Sequence, residues 1–347
     1  MRLLIGIRDI FWNCNERRLR AFLRLSLHTV IMLTLVIAGV LLLTSAFSAV
    51  LMPTRSDRPG GLMLSIVEDQ WVNTIIIPGA TCLGVLGATV LSGKWVDRRK
   101  ISEFGFRLYG RWWVDFAFGL SLGAFLMGVI FLIGQAAGQF AVTGYFRAGA
   151  GGEGFLIGFM QSLIFFIFVG IYEEILSRGY HLINLAEGLN VRWLGKRSAL
   201  VLAWVISSVM FGLLHATNPN ATLISTLNLS LAGIFLGLGM VLTGSLAIPI
   251  GLHITWNFFQ GNVFGFAVSG MPPGASIIAT EPIGTDWMTG GLFGPEAGLL
   301  GFFAMAIGSG LIWWWVRRRY GKVSLQFSLA DYSSPEQVAD QCEPVEE

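Results

Sequence analysis

Residues 155–185 read FLIGFMQSLIFFIFVGIYEEILSRGYHLINL. From Phe155 to Tyr172 there is no charged side chain, and about 20 apolar residues suffice for a helix to cross a ~30 Å hydrocarbon layer. The stretch reads as a membrane span, yet it runs on into Glu173, Glu174 and Arg178. An ionisable group inside a span costs roughly 2.5 to 3.5 kcal/mol on insertion scales, so three together mark a candidate site rather than a lipid anchor.

The rest of the chain reads the same way. Of 347 residues, 54% are hydrophobic and 13% charged, with mean hydropathy +0.67. Soluble domains carry about 25% charged residues, so this chain cannot cover a water-facing surface. Seven further apolar stretches, at 25–51, 71–93, 114–136, 198–215, 221–243, 247–267 and 297–316, predict an all-α fold: a polytopic membrane helical bundle of about eight transmembrane helices. The first stretch is too long and too late for a cleaved signal peptide and is expected to remain as a span. The 44 Gly show no three-residue period and the formal charge is only +2, which excludes collagen-like chains and argues against nucleic-acid partners. Cys14, Cys82 and Cys342 make no C-x-x-C pair, so neither a disulfide framework nor a thiolate metal site is indicated.

Basic residues set the expected orientation, because cytoplasmic loops accumulate them. Six Lys and Arg precede the first span, six lie between spans two and three, three between four and five, and four follow span eight. The opposite-side loops hold Arg55, Arg58 and Arg147. A multi-pass protein of the cell (inner) membrane with both termini cytoplasmic follows. The chain divides into a cytoplasmic basic amphipathic segment at 1–24, expected to be a helix on the inner leaflet, and N-terminal transmembrane helices at 25–153. A catalytic transmembrane core follows at 154–267, then an extracytoplasmic loop and last span at 268–322, and an acidic, solvated cytoplasmic tail at 323–347.

On a helix Glu174 and Arg178 are four apart and share a face, in the favourable order for an ion pair. Glu173 lies about 100° round the helix, its carboxylate left free to take a proton. Span five ends in Phe211-Gly-Leu-Leu-His215, and span seven contains His253-Ile-Thr-Trp-Asn257, each pair on one helical face. A single intramembrane His is as readily an interhelical hydrogen bond, and a carboxylate near a helix end can snorkel. Polar motifs on three separate apolar helices exceed what packing alone explains. Asn228, mid-span in the sixth helix, either lines the same cavity or makes an interhelical hydrogen bond, the second being the commoner use.

In this order, E-E-x-x-x-R, F-x-x-x-H and H-x-x-x-N resemble the CPBP family of intramembrane proteases, which includes the CAAX prenyl endopeptidases and bacterial relatives; the resemblance covers residues 155–267. It implies a polar cavity within the bilayer, with Glu173 as general base and His215, His253 and Asn257 lining the site. Glu174, Arg178 and Phe211 would support them. The family is commonly labelled metalloprotease, so the resemblance implies Zn²⁺ with His215, His253 and Glu173 as ligands, although no H-E-x-x-H is present and Glu173 as ligand is less available as base. The expected partners are the lipid bilayer and a peptide or membrane-protein substrate. Against this stand a proton-coupled transporter using Glu173 and the His as a relay, which the absence of internal repeats disfavours, and a non-proteolytic scaffold or immunity protein of the same fold. One difficulty remains at this level: straight helices put Glu173, His215 and His253 at different depths.

Overall fold

The structure, a computed structural model, describes residues 11–13, 16–51, 69–149 and 154–332. A short antiparallel pair, β1 (Trp12–Asn13) and β2 (Arg18–Leu19), leads into the helices α1 (Ala21–Leu51), α2 (Val72–Asp97) and α3 (Gly110–Ala136). Strand β3 (Phe140–Arg147) precedes α4 (Phe155–Leu189), α5 (Gly195–Leu214) and α6 (Leu223–Thr243). Helix α7 (Ala247–Phe258, extended by the wider π-type turn Phe259–Val263), strand β4 (Ser276–Pro282) and α8 (Leu299–Tyr320) complete the bundle. Among the described residues, all of these helices except α7 are long and apolar enough to cross a membrane, seven in all, so the chain is a multi-pass helical bundle.

Helix α7 departs from the expected span at 247–267. It is shorter than the others, about 25 Å at 1.5 Å per residue, and nearly every residue of it is buried. It is the centre of the bundle, not a lipid-facing wall. Its closest partner is α3, where small residues bring two backbones together. A Cβ on Gly119 would lie 2.5 Å from the Ile248 carbonyl oxygen, one on Gly123 2.5 Å from that of Leu252, and one on Gly251 would run into that of Phe116. This is the close helix contact that glycines four apart permit within membranes. Despite its length α7 runs from end to end: the Leu246 N–H donates to the Gly105 carbonyl at 3.2 Å in the α2–α3 connection, while beyond α7 strand β4 pairs antiparallel with β3, which follows α3. Among the described residues the bundle thus holds seven helices long enough to cross a membrane and a shorter, buried eighth. Its two described ends meet on one side, where the Arg18 guanidinium lies 3.4 Å from the Tyr332 ring centroid.

The described residues at the two ends differ from the expected pattern. Trp12–Asn13 pairs antiparallel with Arg18–Leu19 where an amphipathic surface helix was expected, and residues 1–10, 14 and 15 lie outside the described residues. Arg18 and Arg24 do not face headgroups: both are buried, and one Glu187 oxygen accepts from them at 2.7 and 2.8 Å while the other pairs with Arg99. Asp97, also buried, lies 3.1 Å from Arg24 Nε and accepts the Tyr180 hydroxyl at 2.7 Å. At the start of the acidic tail Leu325, Phe327, Leu329 and Ala330 pack on the α4–α5 end of the bundle while Ser324, Ser328 and Asp331 are exposed, and residues 333–347 lie outside the described residues.

Glu187 is therefore the hub of a buried network of three guanidinium groups. Glu187→Ala would leave those charges sharing Asp97 and a half-exposed Glu16, and breaking a buried pair costs about 3 to 5 kcal/mol. A large drop in melting temperature in detergent is expected, and a variant melting with the wild type would show that water reaches the cluster.

Candidate active site

Helix α4 passes through its polar run without a break. Its turns widen to the π type over Ile175–His181, immediately after the paired acids, a distortion frequent at functional sites. The expected ion pair forms: Arg178 Nη1 donates to Glu174 Oε1 at 2.8 Å, with both side chains buried. Arg178 is further held by the Gly233 carbonyl on α6 at 3.0 Å and lies 4.4 Å from the Phe211 ring centroid. Glu174 has a second partner, His253 Nδ1, at 2.8 Å on the same oxygen. A carboxylate committed to a guanidinium accepts, so His253 carries its proton on Nδ1 and turns the lone pair of Nε2 inward.

His215 is set up in the same way from a different helix. It caps the C-terminus of α5, and its Nδ1 donates to the Phe211 carbonyl at 2.8 Å. A carbonyl only accepts, so here too Nε2 is the free acceptor. Both Nε2 atoms point to one place. Glu173 Oε2 lies 3.9 Å from His215 Nε2 and 3.9 Å from His253 Nε2, is buried, and has no hydrogen-bond partner of its own. Glu174 is thus doubly engaged, whereas the Glu173 oxygen that faces the two imidazoles makes no hydrogen bond.

The depth difficulty resolves through where α7 begins. The turn between α6 and α7 docks within the bundle, with Leu246 against Gly179 and Gly105, while α4 continues to Leu189 beyond it. His253 is about as far above Leu246 as Glu173 is above Gly179, so the two meet although their positions along their own helices differ.

These side chains line a cavity of about 330 Å³ that also takes in Asn257, one helical turn beyond His253. The cavity reaches past residue 267, to Ser269, Met271, Glu296 and Met305, and includes Asn218 from the turn after α5. Ser269, Met271, Glu296 and Met305 were not singled out as lining the site from sequence. A signal did exist for Glu296, a lone carboxylate between two apolar runs. Asn228 does not line the cavity; its side chain donates to the Ala297 carbonyl at 2.7 Å, the packing use.

The donor set does not fit the zinc that the resemblance implied. Ligand atoms 2.0 to 2.1 Å from a tetrahedral zinc stand about 3.3 Å apart, closer than the 3.9 Å from Glu173 to either imidazole. Among the described residues no group of three or more His, Cys, Asp or Glu side chains is arranged to hold a metal ion. The same spacing suits water: a molecule about 2.8 Å from both partners spans 3.9 Å at an angle of about 90°.

Residues 155–259 match the family model described as Rce1-like, type II CAAX prenyl endopeptidase. The match takes in every motif of the site, from Glu173 to Asn257, and covers less than a third of the chain. It supports the CPBP/CAAX protease-like family and, at that level, a CAAX-type protease acting on peptides in a membrane. No curated protein and no solved structure matches the chain.

Proposed function

We propose that the chain is an intramembrane endopeptidase in which Glu173 activates water for attack on a peptide bond. The observation that carries this reading is the unpaired Glu173 oxygen 3.9 Å from two imidazole nitrogens, all inside one cavity. Water held there gives one hydrogen bond to Glu173 and the other to His215 or His253 Nε2, which orients an oxygen lone pair towards the substrate. As the oxygen bonds to the scissile carbonyl carbon, its proton passes to Glu173. The Asn257 amide faces the same space and donates to the developing oxyanion. When the tetrahedral intermediate collapses, Glu173 returns the proton to the leaving nitrogen, so water is divided between a new carboxyl and a new amine. Glu174 keeps His253 in the useful tautomer, and Arg178 holds Glu174 in place.

The cavity mouth is apolar. Leu214 and Met271 both line it and are exposed, which suits a substrate segment presented from the bilayer. The peptide bond, not a prenyl group, defines the proposed substrate. The orientation proposed is that of the basic-residue count, with the Arg18–Tyr332 end in the cytoplasm of the cell (inner) membrane. A comparison of membrane-protein termini in cells carrying wild-type or Glu173→Gln protein tests the reading: new termini present only with the wild type are expected, and identical termini would refute it.

This mechanism routes no step through a metal. Purified active protein should hold well below one zinc per chain and keep its turnover in a chelator, while His215→Ala and His253→Ala each still lose about 10²- to 10³-fold in rate. Stoichiometric zinc, lost in either His variant together with activity, would replace the water-only scheme by a metalloprotease.

A further inference from the structure

The cavity contains a second carboxylate that this scheme leaves unused. Glu296 is buried in the short helical turn Pro295–Ala297 that precedes α8. One of its oxygens accepts the Ser269 backbone N–H at 2.6 Å, and the other accepts the Gln260 amide, which also donates to the Ala267 carbonyl. Ser269 belongs to a tight strap, Val268–Met271, closed by two reciprocal backbone hydrogen bonds of 2.9 Å. Its φ of +49° lies in the left-handed region, which a serine occupies only when its surroundings hold it there. From the strap the path continues to the reactive centre. The Ser269 carbonyl accepts the Asn218 side-chain amide at 3.0 Å, and the Asn218 N–H donates to the His215 carbonyl at 3.1 Å.

We propose that Glu296 is a positioning residue: it fixes the Val268–Met271 strap at the cavity mouth and, through Asn218, seats the turn that carries His215. Met271, exposed at the mouth, moves with the strap. Burial pushes the Glu296 carboxyl up to about 7. The proton therefore favours the closed strap, and raising the pH through neutrality favours opening, which returns the carboxylate to water. The other titratable side chains lining the cavity are Tyr172, Glu173, His215 and His253, so a variant at position 296 is needed to assign any pH response.

Hydrogen–deuterium exchange of the full chain in micelles at pH 6 and pH 8 reads the strap directly. In Glu296→Ala, amides of residues 268–271 and 215–220 should exchange about tenfold faster than in the wild type at pH 6, with the transmembrane helices unchanged. After correction for intrinsic rates, wild-type strap protection should fall from pH 6 to pH 8. Glu296→Gln, which keeps an acceptor for Ser269 and cannot titrate, should stay protected at both. Asn218→Ala should loosen only residues 215–220, and it carries the test if Glu296→Ala does not fold. With a quenched-fluorescence apolar peptide as substrate, kcat of Glu296→Ala should fall about tenfold with KM little changed, and Glu296→Gln should recover it. Unchanged strap exchange in Glu296→Ala, or faster exchange of the whole bundle, would overturn the proposal. The kinetic arm rests on the peptidase reading. If the wild type does not cleave any peptide, that reading fails while the exchange data still decide the role of Glu296.

Discussion

Glu173→Gln should lose proteolysis by about 10²- to 10⁴-fold, the range expected when a general base is removed, while the protein inserts and melts as the wild type does. The substitution is nearly isosteric. Its amide can still hold water between itself and the imidazoles, so substrate binding and cavity shape survive, but it cannot take the proton on which attack depends. Stability should be indifferent because the Glu173 oxygen facing both His has no hydrogen bond to lose, and the side chain is one-fifth exposed. The loss should therefore fall on kcat and not on folded yield. A chemically competent but shorter base, as in Glu173→Asp, should recover part of the rate. Full turnover by purified Glu173→Gln would remove Glu173 from the mechanism, and the unpaired geometry would then need another explanation.

What sequence could and could not convey divides along the range of the interactions involved. The Glu174–Arg178 pair was legible because both residues lie on one helix, where spacing dictates the face. That Glu174 also holds His253 was not, since that contact joins residues 79 apart. Phe211 and His215 were legible as neighbours on one face, and the Phe211 carbonyl indeed sets the His215 tautomer. The convergence of the three helices was not legible, because it depends on the depth at which Leu246 docks against Gly105 and Gly179, a contact with no local signature. Charge was the least faithful guide. Arg18 and Arg24 read as headgroup ligands by composition, yet their partners Glu187 and Asp97 come from two other helices. The strap residues had no pattern to reveal them either: Ser269 matters through its backbone, which sequence periodicity does not report.

Glu174→Ala should be the most destabilising single change at the site, by about 3 to 5 kcal/mol, because it strands a buried cation. Arg178 is 1% exposed, and without Glu174 its direct contacts are the Gly233 carbonyl and the face of Phe211, with the Glu173 carboxylate farther off. Neither direct contact carries a compensating negative charge. The same change orphans His253 Nδ1, so the imidazole loses the partner that aims Nε2 at Glu173. Activity should accordingly fall even in the fraction that remains folded. Glu174→Gln separates the two effects. Its amide oxygen can accept from Arg178 or from His253 but supplies no charge, so partial stability should return while catalysis stays low. Glu173→Ala, by contrast, removes a side chain whose cavity-facing oxygen makes no hydrogen bond, and it should melt close to the wild type. Melting curves of the two alanine variants in the same detergent check this directly. If Glu173→Ala melts lower than Glu174→Ala, the acid that supports the fold is Glu173, and the roles assigned to the paired carboxylates must be exchanged.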